Sequence, residues 1–274
     1  MIYFVKLLIM FDDIITCPWK FGQSKDGVQN GALEIKKYIQ EKFYDIDFKN
    51  YIDVKYKNNS NEEYHKEIFE QHSKCIGNTL CIGGDHSVAI GSVLASLSKN
   101  KSTCLIWIDA HPDINTFESS KSGNIHGMPL SFITGLEDGW SWVNSLNFLK
   151  FENLFYFGIR DIDSFEYNII KSNKIKILEN VSDICNICHN YDHIHISFDV
   201  DSLDPSYMAS TGTKVEHGIE LSEIIYMINY IKDNICTKTT TLNFDIVEYN
   251  PSIGSEFEKL KAKETINQII NSLF

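Results

Sequence analysis

Residues 107–113 read Trp107-Ile108-Asp109-Ala110-His111-Pro112-Asp113, and this stretch decides the fold of the chain. The apolar run Cys104–Ile108, which has the length of a strand, leads directly into it. Alternate residues of an extended chain face the same way, so Asp109, His111 and Asp113 are spaced to point at one place. This pattern raises the question of whether other strands of the chain end in the same manner.

Apolar runs of strand length recur along the chain, and helical patterns lie between them. The predicted strands are Thr79–Ile82, Cys104–Ile108, Leu154–Phe157, Lys176–Leu178, Ile194–Phe198 and Thr241–Ile246. The predicted helices are Leu33–Phe43, Glu63–His72, Val88–Leu97, Glu166–Ser172, Leu221–Ile231 and Glu256–Leu273. Strands that alternate with helices indicate an α/β fold with a parallel sheet covered on both faces. In such a sheet, ligands bind outside the carboxyl ends of the strands.

Length and composition favour a single domain over residues 1–274. The chain has 274 residues, of which 43% are hydrophobic, enough for one large core. Its net charge of −12 disfavours nucleic acids and anionic membranes as partners and suits a cationic substrate or metal ions. The apolar residues 1–10 are short of the ~20 needed for a membrane helix. We interpret them as a buried strand rather than a secretory signal.

The seven cysteines are scattered and odd in number, which does not fit a disulfide framework and indicates a reducing, cytoplasmic setting. Residues 185–189 read Cys-Asn-Ile-Cys-His, which matches a haem-attachment pattern. Together with His193 and His195 they could also form a zinc site. We favour a third interpretation, in which Cys185 and Cys188 lie on a helix face and the two histidines lie on a strand.

Histidines and carboxylates follow several of the predicted strands. They occur in Gly83-Gly84-Asp85-His86-Ser87, in Asp199-Val200-Asp201, at Asp204, and at Asp245 and Glu248 of the last strand. So many carboxylates on one rim would repel one another without a cation. Oxygen-rich ligation with a few imidazoles suits Mn²⁺. Taken singly, Asp85 or Asp204 is equally typical of a cap or turn, but the repeated two-residue spacing favours a metal site.

Three of these motifs together resemble the metal signatures of the arginase/agmatinase (ureohydrolase) family. They are Gly83–Ser87, Asp109–Asp113 and Ser197–Pro205, while Pro18, Gly22-Gln23 and Gly27-Val28 resemble the first loop and Asp245–Pro251 the last motif. The resemblance covers nearly the whole chain. It implies one three-layer α/β/α domain, a mainly parallel sheet of about eight strands, and a homo-oligomer, either a trimer or a hexamer.

The resemblance also implies two Mn²⁺ ions per subunit. One would be held by His86, Asp109, Asp113 and Asp199, and the other by His111, Asp109, Asp199 and Asp201, so that Asp109 and Asp199 bridge the pair. All six positions carry the expected residue types, which disfavours a non-catalytic arginase-like binding protein. A lysine deacetylase relative is also disfavoured, because that family shares the sheet topology but typically uses one zinc ion.

The loop 115–129 resembles true arginases more than agmatinases, whose substrate lacks the α-carboxylate. The implied contacts are Asn115, Ser122 and Asn124 with the α-carboxylate of L-arginine, Asp163 and Glu166 with its α-amino group, and Thr213 with the bound substrate. Lys214 and Glu216-His217 depart from the family pattern near the rim of the site. These departures put substrate affinity in question but not the metal chemistry.

The activity implied by the resemblance is hydrolysis of L-arginine to L-ornithine and urea. A hydroxide that bridges the two metals would attack the guanidinium carbon. Glu248 would anchor the guanidinium group, Asp113 would pass a proton to the leaving amino group, and His126 would shuttle protons to solvent. The alternative within the family is another ureohydrolase, acting on agmatine, formiminoglutamate or a different guanidino compound.

Overall fold

The structure is a computed structural model that describes residues 10–55, 60–99, 102–235 and 240–274. Its strands are β1 (Asp13–Cys17), β2 (Asn50–Asp53), β3 (Thr79–Gly83), β4 (Thr103–Ile108), β5 (Leu154–Phe157), β6 (Lys176–Leu178), β7 (His193–Asp199) and β8 (Thr241–Val247). Its helices are α1 (Val28–Lys42), α2 (Asn61–Lys74), α3 (Ala89–Lys99), α4 (Pro129–Thr134), α5 (Ser164–Ser172), α6 (Val181–Cys188), α7 (Leu221–Asn234) and α8 (Glu256–Leu273). The strand that we predicted within residues 1–10 falls outside the described residues, apart from Met10.

The strands form one sheet in the order β2-β1-β3-β8-β7-β4-β5-β6, and every pairing in it is parallel. This confirms the predicted α/β class and the sheet of about eight strands. The sequence patterns had missed β1 and β2. β1 begins with the charged Asp13, and β2 is a four-residue edge strand that is only partly buried, so neither carries a strong apolar signal.

The strand order brings distant parts of the chain to one edge. After β3 the chain crosses to β4, and β8 and β7 later fill the space between them. The carboxyl ends of β3, β8, β7 and β4 therefore lie side by side. At such a reversal of strand order the loops separate and leave a crevice for a ligand.

Helices cover both faces of the sheet, and the two faces differ in chemistry. One face packs against α1, α6, α7 and α8 and is apolar, with residues such as Ile82, Ile196 and Phe244 fully buried. The opposite face packs against α2 and α3. There, buried cysteine, histidine, asparagine and aspartate side chains replace many of the apolar ones.

The segment around Cys185 and Cys188 forms a helix, as in the interpretation that we favoured from the sequence. Cys185 and Cys188 lie on α6 and are buried in the apolar face, whereas His193 and His195 lie on β7. Successive strand residues point to opposite faces. The two histidines therefore face away from Ile194 and Ile196, which contribute to the same apolar cluster as the thiols. This geometry separates the two histidines from the two thiols, which a zinc site would have to bring together.

Membrane insertion finds no support among the helices. Within the four described ranges, none of the helices is both long enough and apolar enough to cross a bilayer.

Replacing Gly31 with alanine should destabilise the fold. A Cβ atom at this position of α1 would lie 1.9 Å from the carbonyl oxygen of Tyr249. Alanine gains about 1 kcal/mol in helix propensity over glycine, but overpacking against backbone costs about 1–3 kcal/mol. We expect the clash to dominate and the free energy of unfolding, measured by urea denaturation, to fall. Asn30→Ala, at an exposed position of the same helix, is the matched control and should not lower it; equal stability of the two variants would contradict the predicted clash.

Candidate metal centre and substrate pocket

Six histidines and aspartates meet at the carboxyl edge of the central strands. They are His86 after β3, Asp109, His111 and Asp113 after β4, and Asp199 and Asp201 at the end of β7. All but His111 are buried, and the His111 side chain is 22% exposed. The structure thus brings together every residue that we had predicted as a metal ligand.

His86 forms the centre of the first group. Its Nδ1 lies 3.0 Å from Asp109 Oδ2, 3.2 Å from Asp113 Oδ2 and 3.2 Å from Asp199 Oδ2. This nitrogen has no hydrogen-bond partner within the described part of the chain. The other ring nitrogen lies 2.8 Å from Ser197 Oγ, and the ring stacks on Trp107 with centroids 4.0 Å apart. The imidazole is therefore held in place with a free nitrogen aimed at three carboxylates, as a metal ligand requires.

His111 forms the centre of the second group. Its Nδ1 lies 3.2 Å from Asp201 Oδ2 and 3.4 Å from Asp109 Oδ1. Asp109 therefore turns one oxygen toward each histidine, which is the geometry of a bridging carboxylate. Asp199 differs, because its Oδ1 accepts a 2.8 Å hydrogen bond from the backbone N–H of Asp201 and only its Oδ2 reaches His86. Two ligand groups that share Asp109 suit a pair of metal ions.

The electrostatics of the cluster call for a cation. Burial, together with the negative charge of Asp109, raises the pKa of Asp113 to about 7. Burial and neighbouring carboxylates also raise the pKa values of Asp199 and Asp201. Carboxylates whose ionised forms are this unfavourable are stabilised by a bound positive charge. The donor set of oxygens and imidazole nitrogens fits a hard or borderline divalent ion.

The backbone at the site is not extended, contrary to the assumption behind our spacing argument. Asp113 has a φ of 49°, in the left-handed region, and a 3-10 turn begins directly after Asp199. The side chains nevertheless converge on His86. Glu248 also has a positive φ, of 67°. Non-glycine residues adopt this region at a cost, and it is tolerated where the surrounding structure holds the chain in place.

Two aspartates near the strand ends serve the structure and not the cluster. Asp85 caps the 3-10 turn that carries His86, and its carboxylate accepts the backbone N–H groups of Ser87 and Gly22. Asp245, which we had placed on the rim, lies inside β8 and contacts His195 Nε2 at 3.0 Å. The rim prediction for Asp245 was wrong because this residue already lies within the predicted strand Thr241–Ile246, so its side chain points to a face of the sheet and not to the carboxyl edge.

Glu248 lies against the cluster, buried beneath His126. Its Oε1 accepts a 2.9 Å hydrogen bond from the backbone N–H of His86 and lies 3.0 Å from His126 Nδ1. Its Oε2 accepts a 2.6 Å bond from Gln23 Nε2. Burial lowers the pKa of His126, but the contact with Glu248 outweighs it and raises the value to about 9. Gln23 had been noted only as part of a loop motif, and its contact with Glu248 was not foreseen.

An open cavity of about 230 Å³ adjoins the cluster. Its lining consists of His111, Asp113, Asn115, His126, Gly127, Asp161, Asp163, Glu166, Asp199 and Thr213. Of the predicted substrate contacts, Asn115, Asp163, Glu166 and Thr213 therefore lie in the wall. Ser122 is exposed and Asn124 half-buried on the neighbouring loop, and neither belongs to the lining. Glu248 reaches the cavity only through His126.

Asp163 and Glu166 have a structural role as well. They form the capping box at the start of α5, in which each side chain accepts the other's backbone N–H. Asp163 also accepts a 3.0 Å bond from Asn115 Nδ2, which ties the helix to the loop. Burial and the nearby Asp113 raise the pKa of Glu166 to about 8. The cap thus holds two carboxyl groups at the cavity wall.

Arg160 holds the segments around Asp201 together. Its guanidinium group donates to the backbone carbonyls of Gly158, Asp201, Ser202, Leu203, Val215 and Glu216. Sequence reasoning missed this role. Lys214, one of the departures from the family pattern, turns toward α8, where its Nζ lies 3.9 Å from Glu258 Oε1. Lys214, Glu216 and His217 do not belong to the cavity lining.

Comparisons with known proteins point in the same direction as the geometry. The family model described as the Arginase family matches residues 13–271. The arginase of Glaciozyma antarctica is 32% identical over 88% of this chain and 81% of its own length. Arginase-1 of Bos taurus is 31% identical over 94% of this chain and 89% of its own length. The crystal structure of Entamoeba histolytica arginase in complex with L-ornithine superposes with a TM-score of 0.82, at 28% identity, covering 95% and 98% of the two chains.

Replacing Asp199 with asparagine should weaken binding of a divalent metal by more than about 100-fold. Loss of a residue that only hydrogen-bonds to a metal ligand already lowers metal affinity by about 10–100-fold, and loss of a direct ligand should cost more. Elemental analysis after equilibrium dialysis against Mn²⁺ measures the effect. Asp192→Asn is the matched control, because Asp192 is an exposed aspartate just before the opposite end of the same strand. Wild-type metal content in Asp199→Asn would exclude this residue as a ligand.

Proposed function

The chain belongs to the arginase family, and from this premise we propose that it hydrolyses the guanidinium group of L-arginine to L-ornithine and urea. The observation that carries the proposal is the pair of ligand groups that share Asp109, beside a cavity lined by carboxyl groups. Such a cavity complements a cationic substrate. The geometry is that of a two-metal hydrolytic site.

We propose two Mn²⁺ ions as the resident metals. His86, Asp109, Asp113 and Asp199 would hold one, and His111, Asp109, Asp199 and Asp201 the other. Contacts with both histidines support Asp109 as a bridging ligand, whereas Asp199 contacts only His86 and would bridge through its Oδ1, which also accepts the Asp201 backbone N–H. When bound, two divalent cations lower the pKa of water and supply a nucleophile near neutral pH.

Glu248 and His126 form the buried acid–base pair beside this centre. We propose that Glu248 anchors the guanidinium group and that His126 carries protons between the cavity and solvent. A carboxylate offers about four lone-pair positions, and contacts with His86, His126 and Gln23 already engage three of them. Glu248 is also covered by His126 and does not line the cavity, so its contact with the guanidinium group would require His126 or Gln23 to move. Asp113, in the cavity wall, would pass a proton to the leaving amino group.

The amino-acid end of the substrate would lie toward α5 and the 115–129 loop. Asp163 and Glu166 are proposed to receive the α-amino group, and Asn115, Ser122 and Asn124 the α-carboxylate. Thr213 is proposed to contact the substrate from the opposite wall, where its hydroxyl donates to Asp201 Oδ2 at 2.8 Å. Of the three residues proposed to bind the α-carboxylate, only Asn115 borders the cavity directly.

Other features of the protein follow from the same family premise. We propose that residues 1–274 form one catalytic domain and that it assembles as a trimer or hexamer. A cytoplasmic setting is supported by the six described cysteines, which are all buried, and by the free thiols of Cys17, Cys75, Cys81, Cys104 and Cys185 among them.

The proposed activity is tested by loading the purified chain with Mn²⁺ and measuring urea release from L-arginine, agmatine and other guanidino compounds. We expect L-arginine to be the preferred substrate. If the protein hydrolyses agmatine or another compound but releases no urea from L-arginine, it is a different ureohydrolase and not an arginase. No hydrolysis of any of them by metal-loaded protein would overturn the proposal.

Replacing Asn124 with alanine should raise the KM for L-arginine by roughly 10–100-fold, which corresponds to a lost hydrogen bond to a charged group of about 1.5–3 kcal/mol. Agmatine has no α-carboxylate, so its inhibition constant or KM should not change. Steady-state kinetics on both compounds give the comparison. Glu118→Gln, an exposed residue in the same loop, is the control. Equal effects on the two compounds would argue against a carboxylate contact.

Replacing Glu248 with glutamine should lower kcat/KM for L-arginine by at least about 100-fold, within the range of acid–base contributions. The amide keeps the shape of the side chain but loses the charge that holds His126 and faces the guanidinium group. Metal content should remain at the wild-type level, because Glu248 is not a proposed ligand. Glu256→Gln, whose side chain is 94% exposed, is the matched control. A variant with unchanged kinetics would remove Glu248 from the proposed machinery.

A further inference from the structure

A second cluster of metal-ligating side chains lies beneath α2, on the polar face of the sheet. It consists of Cys17 at the end of β1, Cys81 in β3 and His72 near the end of α2. One ligand atom from each lies within 4.8 Å of the other two, and all three residues are fully buried. We propose that this cluster is a structural binding site for a borderline-soft divalent cation, with Zn²⁺ as the best match, separate from the proposed catalytic centre.

His72 is the first observation that points to a ligand. The ring is fully buried, which favours its neutral form. A neutral imidazole has one N–H to donate and one lone pair to be satisfied. Neither of its ring nitrogens has a hydrogen-bond partner in the described ranges of the chain. Buried polar atoms are nearly always paired, and a cation beside the two thiols would engage the lone pair.

The sulfur geometry is the second observation. Cys17 Sγ and Cys81 Sγ are 4.0 Å apart. Tetrahedral ligands at a Zn–S distance of about 2.3 Å are about 3.8 Å from each other, so the pair needs little movement to chelate zinc. A disulfide would require about 2.0 Å between the sulfurs. The spacing therefore matches chelation far better than a covalent bond.

The charge balance favours a divalent ion. A divalent ion offsets two of the three negative charges that two thiolates and the nearby Asp245 carboxylate bring to this buried site, which lowers the cost of burying them. Thiolate ligands suit Zn²⁺, whereas the oxygen-rich cluster at the carboxyl edge also accommodates Mn²⁺.

Asp245 is the proposed fourth ligand. It is the direct register partner of Cys81 in the β3–β8 pair, so both side chains point to the same face. Its Oδ1 finds no hydrogen-bond partner among the residues that the structure describes. Its Oδ2 accepts from Ser92 and contacts His195 Nε2. Such outer contacts hold a ligating carboxylate in position.

The site would join α2 to two central strands. β3 leads directly into the turn that carries His86, and α2 also contacts this turn, through His65 Nε2, which lies 2.9 Å from Ser87 Oγ. A cation held by Cys17, His72 and Cys81 would therefore stabilise the support of the catalytic edge without contacting the substrate. It would be inserted as the chain folds, since its ligands are fully buried.

The test uses the full chain expressed in cobalt-supplemented medium, with Co²⁺ as the spectroscopic substitute for Zn²⁺. The six proposed ligands of the catalytic centre include no sulfur. A thiolate-to-Co²⁺ charge-transfer band in the near ultraviolet therefore reports on a cysteine site alone. We expect this band in the wild-type protein and its loss in Cys81→Ser. The matched control Cys104→Ser, at a buried cysteine on the apolar face, should retain it.

Elemental analysis of the wild-type protein is a second test, and it requires no variant. Wild-type chain expressed with zinc should retain about one Zn²⁺ per chain after dialysis against a mild chelator that removes Mn²⁺. Absence of both the charge-transfer band and retained zinc in the wild-type protein would overturn the proposal, even if Cys81→Ser fails to fold. A band that persists in Cys81→Ser would overturn it as well. Neither measurement depends on urea release.

Discussion

The structure depends on how several buried carboxylates are kept close together. Asp109, Asp113, Asp199 and Asp201 are buried at one edge of the sheet, and burial together with their mutual repulsion raises the pKa values of the last three. Side chains that repel one another stay together only if the backbone holds them there. The parallel sheet supplies that restraint, because the carboxylates lie at or shortly after the ends of β4 and β7, which are buried on both faces.

The loops that extend from these strands are restrained by bonds to the backbone. Asp85 holds the turn before His86, the Asp163–Glu166 box holds the cavity wall, and Arg160 binds carbonyls on both sides of Asp201. Left-handed backbone is common where reactive groups must be oriented before a substrate binds. Of the four described non-glycine residues with positive φ, Asp113 and Glu248 belong to the proposed catalytic machinery, whereas Lys174 and His217 do not.

The two faces of the sheet serve different purposes. The face beneath α1, α6, α7 and α8 is a continuous apolar core, and burial of that area provides most of the driving force for folding. The face beneath α2 and α3 buries cysteines, histidines and carboxylates instead. That is unfavourable unless the polar atoms are paired. Hydrogen bonds pair His195 with Asp245 and Ser96, and the proposed zinc site would pair the remaining thiols and His72.

The sequence by itself determined the parts of this protein that local rules govern. Alternation of apolar runs and helical patterns sufficed for the α/β class and for six of the strands, and the motifs after those strands sufficed for all six candidate ligands. Prediction from the sequence failed where a strand has few apolar residues, and where the position of a side chain depends on distant parts of the chain. β1 and β2 have too few apolar residues, and Asp245 was placed on the rim although it lies within β8. Our assumption of an extended chain from Asp109 to Asp113 was also wrong, because Asp113 has a positive φ.

Tertiary structure alone decided which distant residues meet. The bonds from Gln23 to Glu248 and from Arg160 to the Asp201 segment, and the cluster of Cys17, His72 and Cys81, join parts of the chain that are far apart in sequence. No periodicity encodes such contacts, because they follow from the order of strands in the sheet and from how helices pack on it. A sequence pattern specifies which face a side chain occupies. The packing of the whole chain specifies what that side chain touches.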